Sequence, residues 1–148
     1  MVDPGEAAPV QAFLDARGLR LAAILCTHRH ADHIGGIAGL REVYNVPVYG
    51  RRHPGNPHIT DDLHEGDRLE LDPFGIVFAI LEIPGHLDDH IAYLAPEILF
   101  CGDVLFGGGC GRNFEDSLAQ LHHSLQRLAQ LPDITRVYCA HEYTSANL

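Results

Sequence analysis

Apolar and polar positions fall into short blocks along the chain, and the period of each block predicts an element. Residues 7–17 place Val10, Phe13 and Leu14 on one face and run into Gly18, which predicts a helix with a C-terminal glycine stop. Residues 21–26 form a continuous apolar run, the pattern of a buried strand ending at Thr27, and residues 35–44 return to helical spacing. Residues 46–49 read as a short strand. Residues 50–66, rich in Gly, Pro, Asn, Asp and His, read as a surface loop. Two hairpins follow: residues 68–71 with 76–83 around Asp72-Pro73-Phe74-Gly75, and residues 91–95 with 98–101 around Pro96-Glu97. A glycine-rich loop covers 105–112. A helix is expected over 116–130 with Leu118, Leu121, Leu125 and Leu128 on one stripe, and a last strand over 136–140. Paired strands with helices between the groups predict an α/β (α+β) architecture of mixed sheets covered by helices.

The chemistry gathers where predicted strands end. The stretch Thr27-His28-Arg29-His30-Ala31-Asp32-His33-Ile34-Gly35-Gly36 follows the first strand directly. Its alternating H-x-H turns two imidazoles to one side of an extended backbone, and Asp32-His33 reach a second point one turn later. One short stretch thereby offers ligands to two metal ions, and imidazole with carboxylate suits zinc, iron and related cations. His86 in Pro84-Gly85-His86, Asp103 in Gly102-Asp103, and His141 each stand at a later strand end. Strand ends are where α/β proteins assemble their sites. The other histidines carry less. His53, His58 and His64 fall in a polar loop, His90 reads as a structural partner of the site, and the rings of His122 and His123 diverge on their helix.

Composition narrows the function classes. A length of 148 residues points to one domain with a real core, and 46% hydrophobic residues agree. The formal charge is −10 and every basic residue is arginine, a balance that argues against non-specific nucleic-acid binding. No apolar run approaches the ~20 residues of a membrane span, and Met1-Val2-Asp3-Pro4-Gly5-Glu6 has no signal-peptide pattern. The four cysteines show no paired spacing, and Cys26, Cys101 and Cys139 sit in apolar runs, so a reducing, cytoplasmic setting is expected. Cys110 in Gly109-Cys110-Gly111-Arg112 has no base implied beside it and is not expected to act as a nucleophile.

In order and spacing, T-H-x-H-x-D-H-x-x-G-G, P-G-H, the G-D after a strand and the final H-E-Y-T resemble the metallo-β-lactamase superfamily, and within it the glyoxalase II (hydroxyacylglutathione hydrolase) family. The resemblance implies an αββα sandwich spanning 1–148. The family has further strands before the point matching Val2-Asp3-Pro4-Gly5 and a helical C-terminal region, so a fold shortened at both ends is expected. It implies that His28, His30 and His86 hold one divalent ion and Asp32, His33 and His141 a second, with Asp103 bridging both; zinc is preferred, with iron or manganese suited to the same donors. Asp32 and Asp103 would also serve catalysis through a metal-bound hydroxide that attacks the carbonyl of a glutathione thioester such as S-lactoylglutathione, releasing a 2-hydroxy acid and glutathione. Arg112, Phe114 and Tyr143 match positions that contact the glutathione part. Two alternatives stand beside this one: a mononuclear iron persulfide dioxygenase using His28, His86 and Asp103, and a truncated metal-binding domain without activity. The oligomeric state is left open.

Overall fold

The computed structural model describes residues 1–115 and 117–148. The chain forms two compact units, Met1–Leu63 and His64–Leu148. The first contains α1 (Ala7–Arg17), β1 (Ile24–Leu25), α2 (Ala31–Ile34), α3 (Ile37–Val43), β2 (Val48–Gly50) and β3 (Asp61–Asp62). Helix α1 stops as its sequence predicts, at Gly18 with φ 60°, whose N–H returns to the carbonyls of Leu14 and Asp15. Strands β1, β2 and β3 make a small parallel sheet in that order, and Val2 adds a parallel bridge to Leu25. Leu14, Ile24, Cys26, Ile37, Leu40, Val48 and Ile59 form this unit's core.

Three expectations change here. The helix expected over 35–44 is preceded by a separate turn, α2, so Asp32 and His33 are themselves helical, and α3 begins after Gly35-Gly36. Phe13 is half exposed and lies under the Arg17 guanidinium, because one residue along a helix is a 100° turn away from Leu14, which takes the core position. Residues 50–66 are more than a surface loop: β3 pairs with β2, and Asn56, Ile59 and Leu63 are buried. Asp61-Asp62 carries no apolar signal: the strand pairs with β2 through its backbone, and the Asp62 carboxylate accepts the Arg52 N–H at 2.7 Å.

The second unit contains β4 (Arg68–Leu71), a 3-10 turn at Asp72–Phe74, β5 (Ile76–Glu82), β6 (Ile91–Ala95), β7 (Ile98–Gly102), β8 (Leu105–Phe106), β9 (Gly109–Cys110), α4 (Leu118–Leu128), β10 (Arg136–Cys139) and α5 (Thr144–Asn147). Its five-stranded sheet runs β10-β7-β6-β5-β4. Strands β4 to β7 are an antiparallel meander, and β10 joins β7 in parallel after the crossover through α4. Helix α4 buries Leu121 and Leu128 against Ile83, Ala92, Leu99 and Cys101. Leu118, expected on that stripe, is 72% exposed: it belongs to the helix's first turn, and contact starts one turn later. The expected start at Asp116 lies outside the described residues.

Arg127 locks α4 to the sheet. It donates to both carboxylate oxygens of Glu65, one at 2.8 Å, and to the Glu82 carbonyl at 3.0 Å. The guanidinium holds the Glu65 carboxyl below the usual carboxylate range. Both side chains are substantially exposed, so the pair contributes no more than about 1 kcal/mol. The glycine-rich loop is in fact the two-stranded hairpin β8–β9, with Phe106 opposite Gly109.

Candidate metal centre

In the first unit the loop after β1 is organised by a carboxylate outside the histidine-rich stretch. Asp3, with φ 45°, accepts the Thr27 backbone N–H at 2.7 Å, the Thr27 hydroxyl at 2.7 Å and His33 Nδ1–H at 3.0 Å. The Thr27 hydroxyl, its proton committed to Asp3, accepts from His28 Nδ1 at 3.0 Å. Both imidazoles are buried. With Nδ1 carrying the proton, each presents an Nε2 lone pair. His28 Nε2 stands 3.1 Å from His30 Nδ1, and His33 Nε2 stands 3.6 Å from Asp32 Oδ2. Nothing in the residue pattern singles out Asp3, which reads as part of the turn before α1.

The second unit repeats the arrangement. His86 Nδ1–H donates to the Arg112 carbonyl at 2.7 Å, again leaving Nε2 as the lone-pair nitrogen. Asp103, just past β7, has Oδ2 3.6 Å from His86 Nε2 and Oδ1 3.5 Å from His141 Nε2. One carboxylate thus addresses two imidazoles, one oxygen each. Gly111 permits this closeness: a Cβ there would lie 1.7 Å from the Asp103 carbonyl oxygen and 3.1 Å from His86 Nδ1. Arg112 is stacked over Phe114 at 5.0 Å, Phe114 meets His86 edge-on at 5.1 Å, and Tyr143 stacks on His141 at 5.2 Å. All three candidate substrate contacts therefore sit beside candidate ligands of their own unit, and they are exposed. Burial pushes the Cys101 thiol up to about 12, which removes it as a thiolate donor near Asp103.

The donor set tests well against a divalent ion. Two ligands held at 2.0–2.1 Å in tetrahedral geometry stand about 3.4 Å apart, and the imidazole–carboxylate spacings of both units, 3.5–3.6 Å, match it. Neutral imidazoles with fixed tautomers and carboxylates are the ligand types such ions take.

The fold and these donors define a mixed α/β protein built for divalent metal binding. Residues 1–141 match the metallo-beta-lactamase superfamily, and the chain belongs to that superfamily. The hydroxyacylglutathione hydrolase of Aliivibrio salmonicida is 54% identical over an alignment covering 100% of this chain and 58% of the relative. The chain thus spans 58% of that relative's length. Among solved structures, TTHA1623 in a di-iron-bound form is 36% identical with a TM-score of 0.81, covering 94% of this chain and 79% of that one. ETHE1 from Myxococcus xanthus is also 36% identical, with a TM-score of 0.82 over 95% of this chain and 64% of its own. Among the described residues no helix is long and apolar enough to cross a membrane.

Proposed function

We propose that the chain is the catalytic domain of a hydroxyacylglutathione hydrolase-like enzyme that cleaves a glutathione thioester, such as S-lactoylglutathione, to a 2-hydroxy acid and glutathione. His28, His30 and His86 would serve one ion, Asp32, His33 and His141 the other, and Asp103 both. The observation that carries this reading is the Asp103 carboxylate, with one oxygen toward His86 and the other toward His141, in a chain of this superfamily. The di-iron form of a relative supports a pair of ions, and zinc, iron and manganese all suit the donors. When bound, such ions activate water near neutral pH and polarise a carbonyl oxygen.

The chain's own residues supply the rest. Asp3, Thr27 and the Arg112 carbonyl hold the Nδ1 protons of His33, His28 and His86, so the Nε2 lone pairs are in place before any ligand arrives. The Arg112 guanidinium is the partner for a glutathione carboxylate, Phe114 packs against the substrate, and the Tyr143 hydroxyl donates a hydrogen bond. The leaving thiolate has a pKa near ~8.5, so no strong general acid is needed. Cys26 and Cys101 are buried among apolar residues, where a cysteine acts as a small hydrophobe, which supports a reducing, cytoplasmic setting.

Elemental analysis paired with S-lactoylglutathione turnover tests this reading. Two ions per chain and glutathione release above the rate of free metal are expected. One iron per chain with oxygen uptake would replace it with the dioxygenase reading, and metal without turnover would leave a binding domain. Asp3→Asn makes a sharper probe of the donor network. Oδ1 accepts the Thr27 N–H and Oδ2 accepts both the Thr27 hydroxyl and His33 Nδ1–H, so an amide NH2 faces a donor in either orientation: at Oδ2 it releases His33 Nδ1, and at Oδ1 it breaks the bond that holds the Thr27 backbone. Metal affinity measured by chelator competition should fall roughly 10- to 100-fold. An unchanged affinity would show that Asp3 does not set the His33 tautomer.

A further inference from the structure

The segment carrying His86 leaves the sheet after Ile83 and returns at His90, where the Ile83 N–H donates to the His90 carbonyl at 2.9 Å. His90 closes this loop and is 1% exposed. Its ring stands edge-on to His86, with centroids 6.0 Å apart at 86°. Its Nε2 accepts the backbone N–H of Asp103 at 3.1 Å. That N–H lies just beyond the reach of the sheet. The β7–β10 ladder shifts register between Tyr138 and Cys139 and ends with Cys139 opposite Gly102, whose φ is 50°. The imidazole replaces the partner that a further strand residue would have supplied.

We propose that His90 is a positioning residue of the metal centre: it fixes the Asp103 backbone relative to His86, so that the carboxylate keeps one oxygen on each neighbouring imidazole. This rests on the metal-centre reading above. The requirement is specific. The position needs an acceptor at the place of Nε2, buried, on a ring held by the loop that carries His86. An apolar side chain fills the volume but leaves the Asp103 N–H facing it, and the turn that aims the carboxylate loses its anchor. A glutamine reaches the place of Nε2 with its Oε1, whereas an asparagine reaches only as far as Nδ1.

The experiment compares wild type, His90→Gln, His90→Asn and His90→Leu by zinc affinity in chelator competition, zinc stoichiometry, and the melting temperature of the metal-stripped proteins. His90→Leu should bind zinc roughly 10- to 100-fold more weakly, as expected for the loss of a group that orients a ligand. His90→Gln should stay close to wild type and His90→Asn should resemble His90→Leu, with the metal-stripped melting temperatures of Gln and Asn alike. Equal zinc affinity in wild type and His90→Leu overturns the proposal and makes the ring a core filler. Should His90→Leu fail to fold, the Gln and Asn pair decides: equal affinities overturn the proposal, and a Gln-only rescue supports it. A wild-type protein that binds no zinc, iron or manganese would instead overturn the metal-centre reading itself, a separate result.

Discussion

Asp103→Asn is expected to lose most of its bound metal and to hydrolyse S-lactoylglutathione at least roughly 100-fold more slowly than wild type, because even groups that only orient metal ligands cost 10- to 100-fold. The substitution keeps the size of the side chain and removes one charge. Each oxygen of Asp103 stands at ligand spacing from a different imidazole, so asparagine leaves at best one oxygen for two tasks. Its NH2 would donate to the Nε2 lone pair of His86 or His141 and withdraw that nitrogen from metal binding as well. The effect should therefore reach both ions, whereas His141→Ala should reduce the content to about one ion, since that imidazole serves a single proposed site. Elemental analysis and turnover on the same preparations check this. The metal-free melting temperature should change little, because no buried packing is lost. An Asp103→Asn protein with two ions and a wild-type rate would remove the shared carboxylate from the mechanism.

The seven candidate ligands were legible because residue type and strand-end position coincide. An imidazole or carboxylate at one strand end has a turn or core reading of its own, and several of them in order point together to a shared site. The meander β4–β7 was legible for the same reason as any half-buried sheet: period-two alternation interrupted by Pro and Gly. Asp3, Thr27 and His90 were harder. Their roles are hydrogen bonds to a partner's Nδ1 or backbone N–H, across 24 residues for Asp3 and Thr27 and 13 for His90 and Asp103. No periodicity records such a pairing. Strand β3 was illegible for the opposite reason, since Asp61-Asp62 is held by backbone bonds to β2 that any residue pair can make. The break between α2 and α3 is a local failure of the helical pattern: Gly35-Gly36 sits inside the run, and the Gly36 N–H turns to the Pro4 carbonyl at 2.8 Å.

The largest stability loss is expected at a residue with no chemistry of its own. Gly85 precedes His86 with φ 134°, a region that side-chain-bearing residues rarely enter. A Cβ there would lie 2.4 Å from Leu121 Cα and 2.5 Å from Leu121 N, on the face that α4 lays against the loop. Those contacts are backbone, so relief requires moving the helix or the loop. Strain in a rare backbone region contributes about 1–3 kcal/mol and overpacking about 1–3 kcal/mol more. Gly85→Ala should therefore lose roughly 2–6 kcal/mol, a large share of the 5–15 kcal/mol typical of a folded domain. Its melting temperature should fall by about 10 °C or more. Gly18→Ala is the matching control: φ is 60° there, but a Cβ meets nothing within 4 Å, so backbone strain acts alone and the loss should stay near ~1 kcal/mol. Metal affinity separates the two further. Gly85→Ala displaces the residue next to His86 and should weaken zinc binding together with stability, while Gly18→Ala, at the end of α1, should leave zinc binding intact. Equal melting temperatures for the two variants would mean that α4 yields at Leu121 without cost, and that the close approach of helix and loop does not hold His86 in place.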